Sequence, residues 1–120
     1  MSDKSIKYSP AKLKKFKSIL NDRLKTITDE LDTYKSRQKE QKRRVANTNT
    51  GFSEGSKHFQ QQAKNKQIIR RLQRKSRELN SALDRIEDKS YGVCDRTGKL
   101  IREARLMAMP TARFDISPKS

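Results

Sequence analysis

Apolar side chains recur in steps of three and four along two stretches of the chain. Leu24, Ile27, Leu31 and Tyr34 form one series, and Ile69, Leu72, Leu79, Leu83 and Ile86 form the other. That rhythm belongs to a helix that buries one narrow seam. Folding the chain back so that Leu24 faces Leu83, Tyr34 meets Leu72 and Gln38 meets Ile69 makes the paired numbers sum to 106 or 107. The midpoint lies near residue 53, between Gly51 and Gly55, in a cluster of Gly, Ser, Thr and Asn. The pattern predicts an all-α chain. A flexible N-terminus (1–9) precedes a long antiparallel coiled-coil hairpin (10–90) with its tip at about 46–56, and a small lobe follows (91–120).

Local signals refine the elements. Ser9 can cap a helix, and Pro10 suits its first turn, where the missing N–H costs nothing. The first helix is expected to run to about Val45. The second is expected to begin between Ser53 and Ser56 and to continue to about Lys89, where DKSYG ends it and Gly92 can take a left-handed backbone. Each arm would span about 50 Å. Leu13, Phe16, Ile19 and Leu20 make a face wider than a bare seam, so the base of the hairpin is expected to receive the lobe. Thirty residues cannot fold alone without such support. Leu106, Met107 and Met109 read as core filler. Toward the tip the seam turns polar, with Gln38 and Gln41 facing His58, Gln62 and Asn65, which weakens the coil and helps set its register.

Composition agrees with a slender object. Of 120 residues, 31% are hydrophobic and 6% aromatic, too few for an ordinary compact core. No apolar run approaches the roughly 18–20 residues that cross a bilayer, and the N-terminus has no secretory apolar stretch. The single cysteine, Cys94, excludes an internal disulfide, and a cytoplasmic protein is the simplest reading.

Charge changes the picture most. Thirty basic residues against 14 acidic give +16, which suits a polyanion or an acidic protein surface. The stretch KSRQKEQKRR (35–44) holds Lys35, Arg37, Lys39, Lys42, Arg43 and Arg44 against Glu40. KNKQIIRRLQRK (64–75) holds Lys64, Lys66, Arg70, Arg71, Arg74 and Lys75 and no acid. In the folded-back register these stretches lie side by side and repel, each contact by a few tenths of a kcal/mol. A bound polyanion would relieve the repulsion. Phe52, Phe59 and Tyr34 do not form a stacking platform, and no groove-reading module is evident. With one His, one Cys and no phosphate-binding Gly-rich loop, an enzyme is not expected.

The text YGVCDRTG followed by LIREARLMAMPTA resembles the DksA/TraR family of bacterial transcription factors, through Tyr91, Gly92, Cys94, Gly98, Arg105, Leu106, Ala108, Pro110 and Ala112. The resemblance implies a coiled coil that binds RNA polymerase and enters its secondary channel, with a lobe built as a zinc finger. Of the four implied zinc-ligand positions only Cys94 holds a cysteine; the others hold Thr97, Asp115 and Pro118. Zinc is therefore expected to be absent, the lobe being a finger that has lost its metal, and Cys94 is expected to be a small buried residue. Glu54, Gly55 and Ser56 take the place of the family's acidic tip motif, and Gly51 stands at a second acidic position. Alarmone contacts would fall on Glu78, Met109 and Lys119, of which only Lys119 fits, so no alarmone site is expected.

Two functions follow as expectations. One is a non-enzymatic regulator that docks on RNA polymerase. The alternative is a basic coiled-coil protein that binds nucleic acid without sequence specificity. A monomer is favoured, and helix pairing between two chains stays open.

Overall fold

A computed structural model describes the backbone of residues 7–47 and 52–116, and the side chains of 7–46 and 57–116. It is helical, with α1 over Pro10–Asn47, α2 over Phe52–Glu87 and a short α3 over Glu103–Ala108. The helices α1 and α2 pack as a hairpin, as the heptad steps require. The chain divides into two compact units, residues 25–76 and residues 1–24 with 77–120.

In the unit of residues 25–76 the seam follows the expected positions. Ile27, Leu31, Tyr34, Gln38, Gln41 and Val45 are the half-buried residues of α1, while Asn65, Ile69 and Leu72 are buried on α2. The Asn65 amide donates to Gln41 Oε1 at 3.3 Å, and these two numbers sum to 106. Few side chains here are fully enclosed, so packing contributes little and the unit is the softer of the two.

The other unit holds the larger core. Phe16, Leu20, Tyr91, Ile101 and Leu106 are fully enclosed, each worth about 1.5–3 kcal/mol of burial. The Phe16 and Tyr91 rings lie 5.5 Å apart, which seats the lobe on the wide face of α1.

The helix ends have local causes. Ser9 Oγ accepts the Lys12 N–H at 3.3 Å and Ser9 O accepts the Leu13 N–H at 2.9 Å, so Ser9 is the cap and Pro10 the first helical residue. At the other end α2 stops at Glu87, short of Lys89. Lys89 itself takes the left-handed conformation (φ 67°). The Ser90 N–H reaches Arg85 O at 2.9 Å and the Lys89 N–H reaches Ile86 O at 3.1 Å, a Schellman closure made without glycine. Gly92, expected in this role, is left-handed (φ 81°) but three residues later. Both helices extend further than expected, α1 to Asn47 and α2 from Phe52. The Ser and Gly residues of 52–56 cost only about 0.5–1 kcal/mol each in a helix, too little to stop a propagating one.

Candidate functional site

The lobe is built around Tyr91. Its ring is fully buried, and its hydroxyl donates to Pro110 O at 2.7 Å. Burial pushes the phenol up to about 12. Gly92 follows with a positive φ, and a Cβ there would run into the Tyr8 ring, with Leu106 Cδ1 3.4 Å away. Only glycine meets both demands. The chain then turns back on itself: Val93 and Leu100 form an antiparallel bridge, the Cys94 N–H reaches Lys99 O at 2.7 Å, and the Gly98 N–H reaches Cys94 O at 2.8 Å. Gly98 is also left-handed (φ 72°), with open space where a Cβ would stand. Pro110 and Ala112 are buried, and the Arg105 side chain reaches Phe114 O at 3.5 Å. The motif residues are thus mostly supports of one small core.

Cys94 is 4% exposed, as expected for a buried residue. The backbone N–H of Asp115 points at its sulfur, as do the side chain and backbone of Thr97, and together they pull the thiol down to about 7. These are two of the positions where a C4 finger would carry thiols. The donor set does not suit zinc, which in structural sites takes four N, S or carboxylate ligands. Thr97 Oγ1 accepts the Lys99 N–H at 3.2 Å, and the Asp115 carboxylate is held by Arg102 Nε at 3.2 Å and by its own neighbour's N–H at 2.8 Å. Burial alone would raise the Asp115 carboxyl, but these contacts outweigh it and hold it below the usual carboxylate range. Pro118 lies outside the described residues. Among the described residues no three His, Cys, Asp or Glu side chains come together as a metal-holding group.

Further contacts fix the lobe to the helices. Glu103 Oε2 meets Lys12 Nζ at 2.8 Å and its Oε1 meets Lys15 Nζ at 3.2 Å, which keeps the Glu103 carboxyl low. Arg85 reaches from α2 to Thr111 O at 3.4 Å. Tyr8 is the residue that sequence reasoning missed. Residues 1–9 were expected to be flexible, yet Tyr8 donates to Ile101 O, covers Gly92 and packs edge-on against Phe16 at 6.1 Å. Ile101 and Gly92 lie more than 80 residues away, so no local pattern announces these contacts.

Met107 and Met109 correct another expectation. Each is 46% exposed, whereas Leu106 is fully buried. Met107 lies on the open side of the six-residue α3, which can bury only one side, and Met109 lies just beyond its end.

The basic positions of residues 25–76 are exposed, as a solvated charge set must be: Lys35, Arg37, Lys42, Arg43 and Arg44 on α1, and Lys64, Lys66, Arg70, Arg71, Arg74 and Lys75 on α2. Glu40 holds Arg43 at 3.1 Å and Arg44 at 3.7 Å, and the Arg37 guanidinium lies 5.5 Å from the Tyr34 ring centroid. The side chains of Glu54, Gly55 and Ser56 lie outside the described residues, as do Gly51 and Lys119. Glu78 is exposed. No helix among the described residues is long and apolar enough to cross a membrane.

Residues 89–114 match the family described as the prokaryotic dksA/traR C4-type zinc finger. Over 116 residues, 97% of this chain and 74% of the relative, the sequence is 30% identical to the RNA polymerase-binding transcription factor DksA of Caulobacter vibrioides. Over 43 residues, 36% of this chain and 26% of the relative, it is 42% identical to general stress protein 16O of Bacillus subtilis. The fold is similar to that of the transcription factor DksA2 from Pseudomonas aeruginosa, with a TM-score of 0.79 at 19% identity, covering 88% of this chain and 78% of that one.

Proposed function

Because this chain belongs to the DksA/TraR family, we propose that it is a transcription regulator that binds RNA polymerase and passes its coiled coil into the secondary channel. The observation that carries the reading is similarity to an RNA polymerase-binding factor along 97% of the chain, lobe and hairpin together. The heptad hairpin supplies a narrow element suited to a channel, and its exposed Lys and Arg suit an acidic wall. The end of the hairpin where α1 stops at Asn47 and α2 starts at Phe52 would lead, with Glu54, in the first turn of α2, as the surviving carboxylate. The protein acts in the cytoplasm in this reading and performs no catalysis of its own. The lobe folds without zinc: Cys94 is its one thiol, and the tyrosine core with the Arg102–Asp115 and Glu103–Lys12 contacts takes over the metal's role of fixing the chain.

Retention of RNA polymerase core on the immobilised protein at low salt is the direct test. Glu54→Ala is expected to keep that retention and to lose any effect on transcription. Failure of the wild type to retain core polymerase overturns the reading.

A further inference from the structure

Opposite flanks of the hairpin in residues 25–76 differ in charge. One flank is marked by a groove in which Arg37, Glu40 and Arg44 of α1 meet Gln61, Lys64 and Ile68 of α2. It contains Glu40, the one acidic residue of stretches 35–44 and 57–75, already engaged with Arg43 and Arg44. Helical geometry assigns the other flank. At 100° per residue from the Gln41–Asn65 seam pair, Lys35, Lys39 and Lys42 lie on that side of α1, and Phe59, Lys66 and Arg70 on that side of α2. All six are exposed. Among the described residues Phe59 is the most exposed large hydrophobic side chain, at 74%. Among the described residues none of the five cations is in an ion pair. A shallow hollow lined by Lys35, Ser36, Gln38, Lys39 and Lys42 runs along the α1 side.

We propose that this flank, free of acids over residues 35–44 and 57–75, is a binding site for single-stranded nucleic acid, with Lys35, Lys39, Lys42, Lys66 and Arg70 on successive phosphates and Phe59 stacked on a base. The cations climb each helix in steps of about 4.5–6 Å, a ladder that can follow a flexible backbone. An exposed phenyl ring gains nothing from a phosphate or a carboxylate, but it gains from a base face. In a duplex the bases are stacked on one another, and the ring would have no partner. Ala63, exposed and one turn beyond Phe59 on the same flank, leaves room for a strand to pass toward Lys66 and Arg70. The site needs no polymerase, so it stands or falls independently of the family function.

The test is fluorescence anisotropy of the full chain with a labelled oligothymidylate of about 12 nucleotides, within the usual span of such sites. The expected log–log salt slope is about −3.5, which makes binding about 100-fold weaker at about 200 mM salt than at about 50 mM. Replacing Lys35→Gln, Lys39→Gln and Lys42→Gln together should lower that slope by about 2. Phe59→Ala should weaken binding about tenfold and leave the slope unchanged. Arg37→Gln with Lys64→Gln and Arg71→Gln, on the other flank, should have the smaller effect. Every replaced side chain is exposed, and far-ultraviolet circular dichroism confirms that each variant keeps its helices. Three results overturn the proposal. In the first, a matched duplex binds as tightly and Phe59→Ala is silent, so the backbone alone is recognised. In the second, polyglutamate displaces the strand at equal charge with Phe59→Ala silent, which identifies an acidic protein surface as the partner. Equal effects from both flanks mean diffuse charge and no site.

Discussion

Tyr91 and Pro110, 19 residues apart in the chain, meet through a 2.7 Å hydrogen bond from the phenol to the proline carbonyl, inside a core that encloses the ring completely. The bond closes the lobe over the turn between Gly92 and Ile101. Its removal gives the most direct measure of what holds the lobe together. Tyr91→Phe keeps the ring and strands the carbonyl, and should cost about 1–3 kcal/mol. Tyr91→Ala also opens a cavity, and should cost about 3–5 kcal/mol. Urea unfolding of the two variants separates the bond from the packing.

The same tyrosine predicts alkaline weakness. Its folded-state value, about 12, lies above the free phenol's value of about 10. The folded state therefore holds a proton that the unfolded state releases, and stability falls as pH rises between the two values. The contribution is complete below about pH 10 and should lose up to about 2–3 kcal/mol by pH 12. Tyr8 shifts in the same direction, first through burial and then through Glu103 and Asp115. Thermal melts across pH 9–12 should show the decline, and Tyr91→Phe should flatten it.

Cys94 behaves in the opposite sense. Its thiol is held at about 7, below the usual value for cysteine, by the N–H of Asp115 and by Thr97. The thiolate is the favoured form in the folded state, so its stabilisation is present above the unfolded value and is lost as pH falls through about 7. The 240 nm thiolate absorbance should titrate near pH 7 in the native protein. Alkylation should nevertheless be slow, because the residue is only 4% exposed and reaction needs access as well as ionisation. Rapid labelling at pH 8 would contradict the buried geometry.

Metal dependence is the next outcome to measure. Excess chelator should leave the melting temperature unchanged, and metal analysis of the purified protein should find no stoichiometric zinc. The complementary experiment restores thiols at the three other ligand positions through Thr97→Cys, Asp115→Cys and Pro118→Cys. The sulfur of Cys94 already receives N–H groups from two of these neighbourhoods, so the variant should bind zinc tetrahedrally and melt higher with it than without. A wild-type protein that loses its fold on chelation would reverse this view of the lobe.

The long helices were legible because one rule governs them. A residue at every third or fourth place must be buried, and pairs summing to 106 or 107 place Gln41 opposite Asn65, where the hydrogen bond is found. The lobe motif was legible as text, while its physical meaning was not: Tyr91, Gly92 and Pro110 make one enclosed contact set that spacing alone does not reveal. Tyr8 was illegible because its value comes from contacts with Ile101 and Gly92 at long range. Met107 and Met109 are apolar yet exposed, since Met107 faces away from the one supported side of α3 and Met109 lies past its end. The end of α2 misled differently. The glycine rule pointed to Gly92, yet the closing turn was made by Lys89.

That turn supplies a further prediction. A lysine in the left-handed region crowds its Cβ against the backbone, at a cost of roughly 1–2 kcal/mol. Glycine removes the crowding but adds freedom to the unfolded chain, worth about 0.5–1 kcal/mol in the opposite direction. Lys89→Gly should therefore stabilise by up to about 1 kcal/mol, read as a higher urea midpoint at unchanged slope. Lys89→Val should destabilise, since a branched Cβ fits the left-handed region worse still.

The polar layer of the hairpin in residues 25–76 yields a last prediction. Asn65 is 7% exposed, and its amide has been brought out of water to meet Gln41, itself half-buried. A single change, Asn65→Leu, leaves the Gln41 amide facing an apolar neighbour and should give little gain or a loss. Changing both, with Gln41→Leu and Asn65→Leu, replaces a hydrogen-bonded pair by packed side chains of similar size and should stabilise by about 1 kcal/mol or more. Hydrogen exchange of the amides around Ile69 and Leu72 should slow in the double variant relative to both singles. If the unit instead loses stability, the Asn65–Gln41 bond is a net holder of the hairpin and the repulsion among its exposed Lys and Arg is a smaller burden than the charge count implies. The double variant should also favour pairing between chains, because a polar residue in the seam penalises alternative registers and partners. Sedimentation of the three variants against the wild type measures that change.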